Sequence, residues 1–125
     1  MAKILVVDDE PLFRRMLTDV LQEAGHTVIT ADSGAAAIDL ARLDAPDCIL
    51  LDIIMPGLDG YQTCDAFKTD DALGHIPVFL VSATTDLRVM DRADQVGAAG
   101  VLPKPVPPEE LQHAVAMAVA APPSP

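Results

Sequence analysis

Tryptophan is absent from this 125-residue chain, and aromatic residues make up only 3% of it. A core must therefore be assembled from Val, Leu, Ile, Ala and Met, which the half-hydrophobic composition supplies in plenty. Cysteine is also scarce. Cys48 and Cys64 lack a metal-ligand spacing, and two cysteines make no disulfide framework. Cys48 lies in an apolar run and reads as a small core residue. His26, His75 and His113 are far apart and read as surface or loop residues. Cations are few: 8 Lys and Arg stand against 19 Asp and Glu, for a net charge of −11. Phosphate backbones and anionic membranes repel such a chain, so nucleic acid and lipid are poor partners. Solubility alone accounts for most of the acidic excess. No apolar run approaches the roughly 20 residues that span a bilayer, so membrane insertion is not expected. No signal peptide precedes the first strand-like run, and a soluble cytoplasmic protein is the expectation.

Short apolar runs alternate with longer amphipathic stretches. Lys3–Val7 is a β-branched run closed by Asp8-Asp9-Glu10, and Pro11 suits the first turn of a helix. Phe13, Met16, Leu17, Val20, Leu21 and Ala24 then recur at helical spacing until Gly25, a C-terminal cap. Thr27–Ala31 reads as a second strand, and Ser33 as the N-cap of an Ala-rich helix to about Leu43. Cys48–Leu51 is continuously apolar, as in a strand buried on both faces. A helix to about Lys68 follows the Pro56, Gly57, Gly60 loop. Pro77–Val81 and Ala99–Leu102 read as strands, and 86–96 as the helix between them, ended by Gly97. Pro108 opens a last helix with Leu111, Ala114, Val115, Ala118 and Val119 on one face. Residues 121–125 form a Pro-rich tail with no core residues, so residues 1–120 are expected to be one domain followed by a disordered tail. Five βα units predict an α/β fold, a doubly wound parallel sheet with five flanking helices. Pro103, at the end of the last strand, fits an outermost strand and thus the order 2-1-3-4-5.

In open parallel sheets, sites form beyond the carboxyl ends of the strands, where strand order reverses. There the first strand delivers Asp8 and Asp9, the third Asp52, the fourth Ser82 and the fifth Lys104. Carboxylates brought this close repel one another, and a hard divalent cation relieves the repulsion. Oxygen ligands without Cys or His suit Mg²⁺ better than zinc. Such a cation with open positions is a phosphoryl-binding arrangement. Lys104 adds a positive charge for phosphoryl oxygens, Ser82 a hydroxyl, and Asp52 a nucleophile that can become an acyl phosphate. Taken singly, each has a plain structural reading. Asp8-Asp9-Glu10 is an acidic helix N-terminus, Asp52 a turn former, Ser82 a cap and Lys104 a solvated cation. Their joint placement at four strand ends is what favours chemistry.

With these motifs in view, the chain from about Lys3 to Ala120 resembles the receiver domains of bacterial response regulators. The resemblance rests on ILVVDDE at 4–10, ILLDIIMPGLDG at 49–60, IPVFLVSA at 76–83 and Lys104-Pro105. It implies a flavodoxin-like fold and a phosphoacceptor role in a two-component system or phosphorelay. In that family Asp52 matches the phosphoacceptor, and Asp8 and Asp9 the acidic pair that binds Mg²⁺. The Ile54 carbonyl matches a further metal ligand. Ser82 matches the hydroxyl residue that moves onto the phosphoryl group, and Lys104 the conserved lysine, whose bond to the following proline is commonly cis. The implied partners are a histidine kinase or histidine phosphotransfer protein upstream and a protein downstream. Many receivers also form homodimers when phosphorylated. The implied protein is a signalling switch rather than an enzyme turning over an external substrate.

Three positions depart from the family pattern. Val101 stands where an aromatic residue is usual on the fifth strand, which questions the usual coupled swing with Ser82. Val106 stands where Phe is frequent. Ile54 and Thr84 flank the phosphoryl position without a group that strongly orients water, so slow to moderate self-dephosphorylation is expected. The output surface is expected on the fourth helix, fifth strand and fifth helix, with Arg88, Val89, Arg92, Gln95 and Gln112 exposed. A dehalogenase-like phosphatase would need a second acid where Ile54 stands. A flavin module would need a phosphate cradle where Asp8, Asp9 and Glu10 stand. An alternative is a receiver fragment of a multidomain regulator whose output domain is lost.

Overall fold

The structure, a computed structural model, describes residues 2–120; the tail expected at 121–125 lies outside them. Five parallel strands form one sheet in the order β2-β1-β3-β4-β5. They are β1 (Lys3–Val7), β2 (Thr27–Ala31), β3 (Cys48–Asp52), β4 (Val78–Ser82) and β5 (Gly100–Pro103). The helices between and after them are α1 (Pro11–Glu23), α2 (Gly34–Asp44), α3 (Gly60–Thr69), α4 (Leu87–Gln95) and α5 (Pro108–Ala120). The sheet order and the alternation of elements are as the sequence predicts.

Strand pleating divides the core into two layers. Leu5, Val7, Ile49, Leu51, Val78 and Leu80 face α2, α3 and α4, where Ala37, Ala41, Phe67 and Ala93 meet them. Ile4, Val6, Cys48, Leu50 and Val81 face α1 and α5, packing against Phe13, Leu17, Leu21, Leu111 and Val115. The central strands β1 and β3 are buried on both faces, which is why their sequences are apolar without alternation. Burial pushes the Cys48 thiol up to about 12, as suits a core residue.

Local signals set most boundaries. Ser33 Oγ accepts the Ala36 N–H (3.2 Å) at the start of α2. Asp59 and Gln62 close a reciprocal capping box on α3. Gly25 (φ 92°) and Gly97 (φ 81°) take the left-handed backbone after α1 and α4. β4 begins one residue later than its apolar run, because Pro77 has no N–H for the ladder and contributes only its carbonyl, to Ile49. Two helical faces are narrower than the periodicity implies. Met16 is 50% exposed because Phe13, Leu17 and Leu21 already fill the seam of α1, and Val119 is 42% exposed near the end of α5. Val89 is half-buried against the core rather than exposed.

Candidate functional site

The carboxyl ends of β1, β3, β4 and β5 open into one cavity of about 430 Å³, lined by Asp9, Glu10, Asp52, Ile54, Ser82 and Lys104 among others. Parallel pairing places Asp52 beside Val81, and Ser82 beside Pro103. Asp8 is buried directly after β1; its Oδ1 accepts the Glu10 N–H (2.9 Å) and its carbonyl oxygen accepts from Arg14 Nη1 (2.6 Å). Asp52 ends β3 and is 5% exposed. Gly60 fixes the turn beyond it, donating its N–H to the Ile53 carbonyl (2.7 Å).

Lys104 joins these parts. Its backbone N–H donates to the Ser82 carbonyl (2.8 Å), and a cis bond links it to Pro105, as the family pattern implies. Its Nζ donates to Glu10 Oε1 (2.8 Å), Asp8 Oδ2 (3.1 Å) and Asp52 Oδ2 (3.3 Å), which uses all three ammonium protons. The same Nζ lies 4.4 Å from the centroid of the Phe13 ring. Burial favours loss of the Lys104 proton, but hydrogen bonds to Glu10 and Asp8 and the charges of Asp52 and Asp8 outweigh it, so the ammonium titrates above its ordinary range. Asp52 behaves oppositely. Burial, then repulsion from Asp8, outweighs the attraction of Lys104 and pushes its carboxyl up to about 6.

The sites expected from the sequence are thus gathered at one end of the sheet, with two differences of detail. The carboxylate oxygens that come within 4.8 Å of one another belong to Asp8, Glu10 and Asp52, whereas Asp9 is exposed and lines the cavity wall. The Ser82 hydroxyl accepts the Thr84 N–H (3.2 Å) rather than contacting the carboxylates. Ile54 holds its side chain 80% exposed at the rim. Glu10 and Phe13 are the site neighbours that sequence reasoning passes over. A signal for Glu10 exists: it occupies the N-cap of α1, where Ser, Thr, Asp or Asn is usual, and makes no side-chain capping bond. For Phe13 there is none, because a buried aromatic on a helix reads as core.

A cluster of acidic oxygens beside a single lysine fits a hard cation in its donor chemistry: oxygen ligands, excess negative charge, and an aspartate whose pKa is raised by burial first and by repulsion from Asp8 second.

Comparison with known proteins agrees with this geometry. The family described as the response regulator receiver domain matches residues 4–116. Protein PilH of Pseudomonas aeruginosa is 41% identical over 113 residues, covering 89% of this chain and 92% of PilH. Response regulator PleD of Caulobacter vibrioides is 40% identical over 105 residues; the match covers 84% of this chain but 23% of PleD, and only 42% of the ycf27 transcriptional regulator of Guillardia theta is matched. The chemotaxis protein CheY4 of Vibrio cholerae superposes with a TM-score of 0.90 at 32% identity, covering 94% of this chain and 98% of that one. The signal receiver domain of a histidine kinase from Syntrophus aciditrophicus gives a TM-score of 0.88 at 31% identity over 96% of this chain and 91% of that one. With the fold, the acidic cavity and these matches in agreement, the chain belongs to the response regulator receiver domain family.

Proposed function

We propose that Asp52 is the phosphoacceptor of this receiver, with Lys104 and Ser82 as the groups that engage the phosphoryl oxygens. The observation that carries the assignment is the Lys104 ammonium, placed against both Asp8 and Asp52 inside the cavity at the strand ends. In the transfer, an Asp52 carboxylate oxygen bonds to phosphorus as the phosphorus–nitrogen bond of a phosphohistidine breaks, and the imidazole leaves and regains a proton. Asp8, Asp9, Asp52 and the Ile54 carbonyl would hold Mg²⁺, which supplies charge neutralisation for the incoming phosphoryl group. Lys104 orients that group, and Ser82, whose oxygen accepts the Thr84 N–H, keeps its own O–H proton to donate to it. The upstream partner is a histidine kinase or a histidine phosphotransfer protein. Apart from hydrolysis of its own acyl phosphate, the protein turns over no substrate.

Intact mass after incubation with acetyl phosphate is the test. One phosphoryl adduct that forms with Mg²⁺ and does not form when the metal is chelated beforehand is the expected result. On withdrawal of the donor the adduct should outlast several seconds, because neither Ile54 nor Thr84 strongly orients an attacking water. Labelling that ignores chelation would sink the metal assignment, and decay within seconds would sink the slow-hydrolysis reading.

The receiver domain is taken as residues 1–120. No helix among the described residues is long and apolar enough to cross a membrane, and we place the protein in the cytoplasm. The output face is assigned to α4, β5 and α5, where Arg88, Gln95 and Gln112 are exposed and Arg92 stacks over the Tyr61 ring at 4.1 Å. A protein partner, or a second phosphorylated copy, would dock there. Alanine at Arg88, Gln95 and Gln112 is expected to weaken partner binding or phosphorylation-dependent dimerisation, read by sedimentation, with labelling of Asp52 unchanged. Equal loss of labelling would place these residues in the chemistry instead.

A further inference from the structure

Among the described residues, Lys104 is the only cation bonded to the carboxylate oxygens of the acidic cluster; Arg14 reaches only the Asp8 backbone carbonyl. Its ammonium sits at the end of a flexible four-carbon stem, so something must fix where it lies. Two carboxylates at the strand ends, Asp8 and Asp52, draw it into the cavity. The other two neighbours come from the start of α1. Glu10 gives the shortest contact, 2.8 Å, from a side chain that is 64% exposed on the solvent side. Phe13, buried in the layer beneath, presents its ring 4.4 Å from Nζ.

Glu10 is the N-cap of α1 and Phe13 lies in its first turn, so one helix start supplies both neighbours. Pro11 at the first helical position fixes the backbone φ between them. The Glu10 side chain makes no capping bond and is therefore available to Lys104. An aliphatic residue at position 13 would strip water from the ammonium and return nothing. An aromatic ring offsets that loss because its face carries negative potential.

We infer that Phe13 is a positioning residue for phosphoryl transfer: its ring, together with the Glu10 carboxylate, confines the Lys104 ammonium beside Asp52. This rests on Asp52 being the phosphoacceptor. The ring touches neither donor nor acceptor and acts only through Lys104. With three hydrogen bonds and a ring face around it, the ammonium is preorganised before a phosphoryl group arrives.

The test is the rate of acyl phosphate formation from acetyl phosphate with Mg²⁺, followed by intact mass. Wild type is compared with Phe13→Tyr, Phe13→Leu and protein carrying 3,4,5-trifluorophenylalanine at position 13. Fluorination drains the negative face of the ring while leaving its shape nearly unchanged, so a purely packing role would not register it. The Phe13→Tyr variant keeps the ring and is expected to label near the wild-type rate. Phe13→Leu is expected to label about fivefold more slowly, and the fluorinated protein several-fold more slowly with an unchanged unfolding midpoint. Should Phe13→Leu fail to fold, the fluorinated protein still decides the matter. Fluorinated protein that labels at the wild-type rate would overturn the inference and leave the phosphoacceptor reading intact. Wild type that gains no adduct, even from phosphoramidate as a second donor, would overturn both.

Discussion

Asp52→Asn is expected to abolish the phosphoryl adduct and, in metal-free protein at neutral pH, to stabilise the fold. The loss follows from chemistry, because a carboxamide at this position cannot form the acyl phosphate. The gain follows from electrostatics. Asp52 is buried against Asp8, and its carboxyl titrates near 6 in the folded protein instead of at its ordinary 3.8. Below about pH 4 the group is protonated in both folded and unfolded chains and has no effect. Between about 4 and 6 the unfolded chain gives up the proton while the folded protein keeps it, so stability falls as pH rises. Above about 6 both states are ionised and the whole penalty is present, roughly 2–3 kcal/mol for that displacement. The asparagine variant escapes this penalty, and Lys104 keeps its bonds to Asp8 and Glu10. Urea unfolding at pH 7 without Mg²⁺ should therefore show the variant ahead by about 2 kcal/mol. That lead should shrink as pH falls from 6 to 4, and also when Mg²⁺ compensates the wild-type carboxylates. A variant less stable than wild type at pH 7 in chelator would mean that Lys104 already neutralises Asp52, and the account of the repulsion would be wrong.

A carboxylate expected to weaken the fold around it needs firm support, and that support is what makes this end of the sheet legible in sequence. Only a rigid support keeps Asp8 and Asp52 together against repulsion, and the support is the pair of apolar runs, Lys3–Val7 and Cys48–Leu51, that ends directly before them. A run without alternation is what a strand covered on both faces requires, so β1 and β3 declare themselves. Asp52 ends β3, Ser82 ends β4 and Lys104 directly follows β5. What connects them is not legible. The contact between Lys104 and Glu10 spans 94 residues, and that with Asp8 spans 96. No local pattern records which carboxylate an ammonium will meet across that distance. Glu10 reads as a third acid in a helix N-terminus, and only its empty cap distinguishes it. Met16 fails for a related reason: helical spacing says which residues share a face, but the width of the buried stripe depends on how closely α1 sits against the sheet and on the turn at Pro105–Pro108 beside it.

A second large effect is expected at Gly60, where the fold and the site constrain each other. The residue opens α3, the helix that follows the β3–α3 turn, and it is buried. Its φ is not positive, so the need for glycine here is one of space rather than of backbone freedom. A Cβ at this position would lie 2.5 Å from the Asp52 carbonyl oxygen and 2.6 Å from the Ile53 Cα. Both are backbone atoms, and no side-chain rotation relieves the contact. Gly60→Ala must therefore move either the start of α3 or the end of β3. Moving α3 breaks the Gly60 N–H bond to Ile53 and loosens Tyr61, Cys64 and Phe67 in the core. Moving β3 shifts Asp52 relative to Asp8 and Lys104. The expected cost is about 3 kcal/mol in urea unfolding, at the upper end for overpacking, even though alanine is the better helix former. Labelling by acetyl phosphate in the folded fraction should slow as well, because a displaced Asp52 no longer shares Lys104 with Asp8. The contrasting substitution is Gly57→Ala: nothing lies within 4 Å of a Cβ there, and its positive φ (77°) alone penalises a side chain, by about 1 kcal/mol. If Gly60→Ala unfolded at the wild-type midpoint and labelled at the wild-type rate, the close approach of α3 to the end of β3 could not be what holds Asp52 in place.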